Sequence, residues 1–378
     1  MRILIIMEGF FPGKKYGGPP VSVGNFCTLM SNQQCYIVTH NHDLFEKTSY
    51  ENVNKGWNNQ ENCKILYLSD KQYRKAIFKK IIQRIRPDLI YLQSMFQSAV
   101  FPCLRLANKY KIKVLLAPRG ELCAGALKIK RYKKLAYINI LKVMGFFYDI
   151  HFQSTSEEET LAIAKIINCS KEKIHYLDNI PSIPTGKYYK HKKISGEGKF
   201  VFLSRIHPKK NLVSAIKFFR NVIGDVTFDI YGSIEDEIYW QECQKEISNL
   251  QQNIKVNYKG IVLHNQVHDI LSRYDAFLFP TFSENYGHVI AESLSVGTPV
   301  IISDQTPWND VNEKKAGWAI PLSKQKNFID SINNIIANDC LQQECFSKNA
   351  IEYFKERCKI EKLFETYNQE LNKIVFNK

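Results

Sequence analysis

Two short stretches carry side chains whose types and spacing can do chemistry. FLSRIHPKKN (202–211) places Arg205 just past an apolar run, then Pro208, Lys209, Lys210 and Asn211 where a helix is predicted to begin. A guanidinium and an ammonium beside a helix N-terminus suit a diphosphate, because free N–H groups and the helix dipole add to the two cations. FPTFSENYGHVIAESL (279–294) holds Glu284 and Glu292 with seven residues between them, plus Gly287 and His288. Ser283 or Asn285 is expected to cap a helix starting near Gly287, and that glycine lets a phosphate approach the backbone. Glu284 falls in the loop before the helix, while His288 and Glu292, four apart, share a face of it. That helix is otherwise apolar (Val289, Ile290, Ala291, Leu294), so an inward Glu292 needs a partner, and two ribose hydroxyls would serve. Taken singly, the first stretch also reads as a solvated basic turn and the second as a helix with a charged first turn.

These stretches sit at predicted strand ends. In the first half RILIIM, CYIVTH, KILYLS, LIYLQS, KVLLAP and DIHFQST alternate with helical patterns, the rhythm of parallel βαβ units. A second series follows, with KFVFLSR, VTFDIYG, IKVNYKG, AFLFPT and PVIISD as strands. The reading is α/β throughout: a basic N-terminal domain over 1–183, a Pro/Gly/Lys-rich linker over 184–198, and a second domain over 199–350. Helices over 351–378 are predicted to cross back to the first domain. Doubly wound sheets bind ligands outside the carboxyl ends of their strands, where both motifs fall.

Arg205, Lys210, the Glu284-x7-Glu292 pair and SVGTPVIISD (295–304), in that order, resemble the signature of retaining glycosyltransferases of family 4. The resemblance implies the GT-B fold, two Rossmann-like doubly wound domains facing each other across a cleft. It implies that Arg205 and Lys210 bind the donor diphosphate, that Glu292 holds the nucleotide ribose and that Glu284 contacts the transferred sugar. The backbone of Gly287, His288 and Val289 would meet the phosphates, with Asn285 and Tyr286 also donor-binding and Gly232 near the base. Tyr16-Gly17-Gly18-Pro19-Pro20 resembles the family's N-terminal glycine loop, which approaches sugar and diphosphate. APRGELCAGALK (117–128) and Thr306-Pro-Trp308 resemble a branch common in capsule, O-antigen and exopolysaccharide gene clusters.

The chain departs from the family at two places. Arg119 stands where many members carry a histidine that bonds the donor sugar, and Gln93-Ser94 end a strand where relatives often have another. Arg119 is assigned to the site with its role open. Glu121 reads as a base or, preferably, as a charge at a helix N-terminus. A hexosyltransferase-type enzyme is implied, with no metal or other cofactor expected, since no DxD pair lies in a suitable loop. No side chain is an obvious nucleophile, which favours same-face attack with the leaving phosphate taking the acceptor proton.

The charge is lopsided. Residues 1–190 hold 29 Lys+Arg and 14 Asp+Glu, whereas 191–378 hold 23 of each. ALKIKRYKKLAYINILKVMGFFYDI (126–150) reads as a basic amphipathic helix running into an apolar one, and KQYRKAIFKKIIQRIRP (71–87) has the same mix. This composition fits docking on an anionic membrane surface, where lipid-linked acceptors lie, and predicts a peripheral enzyme on the inner face of the cell membrane. The start, MRILIIMEGFFPG, is too short an apolar run for a signal peptide or a span, and reads as a strand. Ten cysteines without CxxC pairs suit a reducing cytoplasm. A GT-B nucleotide-sugar epimerase would need acid/base groups that the first half scarcely offers. A nucleic-acid-binding protein would explain the charge but leave the glutamate pair unused, so no nucleic-acid partner is expected.

Overall fold

The computed structural model of the chain describes residues 1–186, 188 and 192–376. They fall into two compact units, Met1–Ile180 with Ile360–Lys378, and Pro181–Lys359. The first unit has eight strands: β1 (Arg2–Ile6), β2 (Gln34–His40), β3 (Trp57–Gln60), β4 (Cys63–Leu68), β5 (Leu89–Gln93), β6 (Lys113–Ala117), β7 (Ile150–Ser154) and β8 (Ile174–Tyr176). They form one sheet in the order β3-β4-β2-β1-β5-β6-β7-β8, parallel except for β3, which runs antiparallel to β4. Successive side chains of a strand face opposite sides, and β1 divides accordingly. Ile3 and Ile5 pack with Val23, Phe26, Tyr367 and Leu371, while Leu4 and Ile6 pack with Phe78, Ile82 and Leu104. Both faces are therefore covered, as parallel sheets require.

The second unit has six parallel strands: β9 (Glu197–Leu203), β10 (Asp225–Tyr231), β11 (Ile254–Gly260), β12 (Ala276–Phe279), β13 (Val300–Ser303) and β14 (Gly317–Ile320). Their order is β11-β10-β9-β12-β13-β14. Aromatic rings fill its core, with Phe200 against Phe219 (5.4 Å) and Phe218 stacked on Phe328 (4.6 Å). The expected linker 184–198 lies inside this unit, and β9 begins at Glu197; residues 187 and 189–191 of it lie outside the described residues. The C-terminal helices divide at residue 359, with Cys340–Cys358 in the second unit and Ile360–Phe376 in the first.

One expectation about the basic stretches, an exposed amphipathic face at 71–87, is corrected. In the helix Lys75–Ile85 the apolar residues Phe78, Ile81, Ile82 and Ile85 are buried in the core, so its lysines form only a solvated face. The stretch 126–150 is not one continuous helix. It is Ala124–Lys128 and then Arg131–Val143, separated at Ile129 and Lys130, where Lys130 has φ 56°. Tyr132 and Val143 there are 88% and 89% exposed. No helix among the described residues is long and apolar enough to cross a membrane.

Each sheet has one place where the chain reverses its direction of travel across the strands. In the second unit it lies between β9 and β12, and in the first between β1 and β5. Loops leaving neighbouring strands diverge there, opening a crevice at the carboxyl ends.

Candidate functional site

The loops that leave β9 and β12 are knitted together at the switch point of the second unit. Asn211 donates Nδ2–H to the Pro280 carbonyl (2.8 Å), and the Phe282 amide donates to the Lys209 carbonyl (3.0 Å). Lys210 stands between these tethers, 9% exposed, with its ammonium ion-paired to the Glu284 carboxylate and 5.6 Å from the centre of the Phe279 ring. Burial lowers the Lys210 pKa; Glu284 opposes that, and the neighbouring charges of Arg205 and Lys209 add to it. The Arg205 guanidinium donates to both carboxylate oxygens of Glu235, at 3.1 Å each. Arg205, Lys210 and Glu284 thus gather as expected, each cation already holding a carboxylate.

The helix His288–Ser295 starts from Gly287, whose φ of 79° and ψ of 61° are left-handed. A Cβ there would stand 2.8 Å from Ile290 Cδ1, so glycine is needed for both backbone and space. No side chain caps this helix, contrary to the expectation for Ser283 or Asn285. The Ser283 amide instead meets Thr281 Oγ1 (3.4 Å), and the Glu284 amide bonds the Gln305 carbonyl (3.0 Å). Tyr286 is fixed by its carbonyl, which accepts from Trp308 Nε1 (2.6 Å), and its ring lies 4.8 Å from that of His288. Trp308, read from sequence only as part of a branch resemblance, therefore anchors the loop before the helix.

One turn into the helix, Glu292 is only 4% exposed. Ser182 donates its hydroxyl to Glu292 Oε1 (3.1 Å), and His264 Nδ1 lies 3.7 Å from the same oxygen. Burial pushes the Glu292 carboxyl up to about 7, with the Ser182 bond pulling the other way. Ser182 and His264 were missed by sequence reasoning. A serine beside the linker carries no signal of its own, and neither does a lone histidine at position 264. Gly232 has φ 145°, and a Cβ on it would fall 1.8 Å from the Ser204 carbonyl oxygen. Its N–H and C=O are engaged by Gly260 (2.8 Å) and the Tyr258 hydroxyl (2.8 Å), so strand packing by itself accounts for this glycine.

At the switch point of the first unit the turn after β1 is held by one carboxylate. Asp43 accepts from the amides of Lys14 (2.7 Å), Lys15 (3.0 Å) and Leu44 (2.9 Å), and Gly17 then precedes the helix Gly18–Leu29. Arg119, with φ 55°, donates from Nε and Nη2 to Gln93 Oε1 at the end of β5 (2.9 and 2.6 Å). Glu121 accepts from Ser94 Oγ (2.7 Å) and the Met95 amide (2.6 Å), and burial raises its pKa. The following helix starts only at Ala124 and has no acidic residue in its first turn, which corrects the preferred reading. The two departures noted in the sequence are thus one set: Gln93 with Arg119, and Ser94 with Glu121. Glu159, also missed, fixes the same turn by accepting from the Gly120 amide (2.6 Å).

Residues 188–353 match the family model described as Glycosyl transferases group 1. The matched segment contains Arg205, Lys210, Glu284 and Glu292 and lies within the second unit. The O-antigen chain mannosyltransferase RfbU of Salmonella typhimurium is 25% identical over 199 residues, 53% of this chain and 54% of that protein. The UDP-N-acetylglucosamine–peptide N-acetylglucosaminyltransferase GtfA subunit of Streptococcus agalactiae is 23% identical over 308 residues, 75% of this chain and 57% of that one. The chain thus spans about half the length of these curated relatives. Among solved structures, Anabaena Alr3699/HepE in complex with UDP and glucose has a TM-score of 0.72 at 15% identity, covering 98% and 99% of the two chains. WaaG, a glycosyltransferase involved in lipopolysaccharide biosynthesis, has a TM-score of 0.63 at 11% identity over both whole chains. These likenesses show the GT-B fold, so the two sheets are the two Rossmann-like units of that architecture.

Proposed function

We propose that the protein is a retaining glycosyltransferase of family 4 type. It moves a sugar from a UDP- or GDP-sugar to a glycan or polyprenyl-diphosphate-linked acceptor in bacterial surface polysaccharide assembly. The observation that carries this reading is the Lys210–Glu284 pair beside Arg205, at the switch point and next to the helix that begins at His288. Support also comes from the group 1 match and from the relatives, one named for O-antigen mannosyl transfer and another solved with UDP and glucose.

In this proposal the diphosphate displaces the carboxylates from Arg205 and Lys210 and lies against the amides of Gly287, His288 and Val289. Glu292 accepts the ribose hydroxyls, and Glu284, released from Lys210, turns to the sugar. The bond from the anomeric carbon to the diphosphate breaks while the acceptor oxygen attacks from the same face. The acceptor proton passes to the departing phosphate oxygen. The two cations and the helix terminus stabilise the charge that develops there, without requiring a metal. Asn285, Tyr286 and Gly232, with Gly17 and Gly18 of the first unit, are assigned to the donor; unit 1 otherwise takes the acceptor, and Arg119 is assigned to the site with its role open. A thermal-shift panel of nucleoside diphosphates and nucleotide sugars tests the reading. Selective stabilisation by one base supports it, and no response to any member defeats it.

We further propose peripheral docking on an anionic membrane through Lys128, Lys130, Arg131, Lys133 and Lys134 with the exposed Ile129, Tyr132 and Val143. Replacing those five bases by glutamine is expected to abolish binding to anionic liposomes while leaving nucleotide binding intact. Unchanged liposome binding would refute it.

A further inference from the structure

His40, His42 and Asp70 converge at the carboxyl ends of β2 and β4. His40 ends β2 and pairs in register with Leu68, the end of β4, and Asp70 follows two residues later. Next to it the Asn41 amide bonds the Leu68 carbonyl (2.9 Å), which brings His42 over the same edge. One nitrogen from each ring and one carboxylate oxygen lie within 4.8 Å of one another. Asp70 Oδ1 is 3.1 Å from His40 Nδ1 and 2.8 Å from His42 Nε2. A tetrahedral zinc with bonds of about 2.0–2.1 Å sets its ligand atoms about 3.3 Å apart, near the first separation and somewhat wider than the second, so the exposed Asp70 would draw back slightly on binding.

The hydrogen-bond chemistry of the rings says what belongs between them. His42 Nδ1 is 2.9 Å from the Asp43 carbonyl oxygen, which only accepts, so Nδ1 carries the hydrogen. In the neutral ring Nε2 then presents a lone pair to a carboxylate oxygen, so either a proton, forming an ionic hydrogen bond, or a metal ion lies between them; a proton there leaves His40 Nδ1 still without a partner. His40 adds a second case. Its ring stacks on Tyr73 at 4.0 Å, and its Nδ1 is shut off from solvent without an aligned hydrogen bond, although Asp70 Oδ1 is near. Protonating both rings would place two positive charges with centroids 5.2 Å apart. One divalent ion satisfies both nitrogens and the carboxylate at once. A carbonyl that fixes the ring tautomer from behind, as Asp43 does, is the usual support of a metal-bound histidine. Two imidazoles and a carboxylate suit zinc, with a fourth position left open.

The same segment holds the glycine turn. Asp43 binds the amides of Lys14 and Lys15, and the Tyr16 hydroxyl donates to the His42 carbonyl (3.1 Å). We propose that His40, His42 and Asp70 bind one divalent transition-metal ion, zinc by ligand type, which clasps residues 42–44 and the turn 14–17 to the ends of β2 and β4. None of the three ligands is among the residues assigned to the donor.

The test uses the full chain, stripped by chelation and titrated with cobalt(II) alone. One equivalent is expected to give the visible d–d bands of a four-coordinate nitrogen/oxygen site, without the thiolate charge-transfer absorption that cysteines would add, and zinc should abolish them. Asp70 is 70% exposed, so Asp70→Asn should fold as the parent does. It and His42→Gln are each expected to weaken binding by more than about tenfold. Melting of the metal-free variants with the parent excludes misfolding as the cause. Metal should also slow hydrogen exchange at the Lys14, Lys15 and Leu44 amides in the parent only. No one-equivalent binding, or binding of unchanged strength in both variants, overturns the site. Binding without slowed exchange overturns the clasp.

Discussion

At the switch point between β9 and β12, each cation has an anion for a partner: Lys210 with Glu284 and Arg205 with Glu235. At the switch point between β1 and β5, the charged groups lean on neutral ones instead. Arg119 grips the Gln93 amide oxygen, and Glu121 takes the Ser94 hydroxyl and a backbone N–H. An anionic ligand can replace a carboxylate on an ammonium at little net cost in desolvation, because one ion pair is exchanged for another. Removing Gln93 from Arg119 would strand a buried amide oxygen, which costs about 1–3 kcal/mol. Under the proposed function, the second unit would therefore trade its anions for a diphosphate. The first is built to keep its charges in place and present a fixed polar surface.

The sharpest break in that contrast is Lys210→Ala. It is expected to raise the nucleotide dissociation constant and cut turnover by an amount equivalent to roughly 2–4 kcal/mol, measured by calorimetry and steady-state kinetics. It also leaves Glu284 half-buried and unpaired, so stability should fall as well. The double variant Lys210→Met, Glu284→Gln separates the two effects: stability returns while binding does not. If binding returned too, the lysine would be a structural partner only. Next in size is Glu284→Gln, expected to lower turnover about 10- to 100-fold with little change in nucleotide affinity, since one charged hydrogen bond to the sugar is lost. An equal loss in both would place Glu284 on the nucleotide.

Glu292 distinguishes the units by pH. Its carboxyl titrates at about 7 folded against 4.5 in a free chain. The folded chain therefore holds the extra proton between these values. Its contribution to stability is full below the unfolded value and is lost as pH rises through the folded one, by on the order of 3 kcal/mol. Ribose hydroxyls prefer the ionised carboxylate as acceptor, so nucleotide binding should be about tenfold weaker near pH 6 than near pH 8. In Glu292→Gln both slopes should vanish. A binding slope that survives the substitution would assign it to another group.

Much of this was legible in the sequence because it rests on local pattern. Apolar runs of strand length gave β1, β2 and β4 to β7, and Arg205, Lys210, Glu284 and Glu292 were marked by their position after such runs. β3, β8 and β14 were not anticipated. Trp57-Asn-Asn-Gln60 has no alternation, Ile174-His-Tyr176 is three residues long, and Gly317 opens β14 with a strand breaker. The partners that tune the site were hidden for a different reason. Ser182 is 110 residues from Glu292, and Gln93 is 26 from Arg119, so only the folded strand order joins them. The failed cap at 283–285 has the same origin. Loop-to-loop bonds to Lys209 and Gln305 hold that segment where local preference expected a side-chain cap.

The smallest effect tests the first unit alone. Arg119→Lys keeps the charge but loses the planar fork that meets Gln93 Oε1 through two nitrogens. A lysine makes one such bond at most and holds it loosely, so the cation would wander while the buried amide stays partly satisfied. Turnover should therefore fall only several-fold, roughly 1 kcal/mol in transition-state terms. The nucleotide dissociation constant should not move. Gln93→Leu should reproduce the loss with the arginine intact, because the position of the charge matters there and not its presence. If either substitution weakened nucleotide binding as Lys210→Ala does, Arg119 would belong with the diphosphate cations. The contrast between charge-exchanging and charge-holding switch points would then fail.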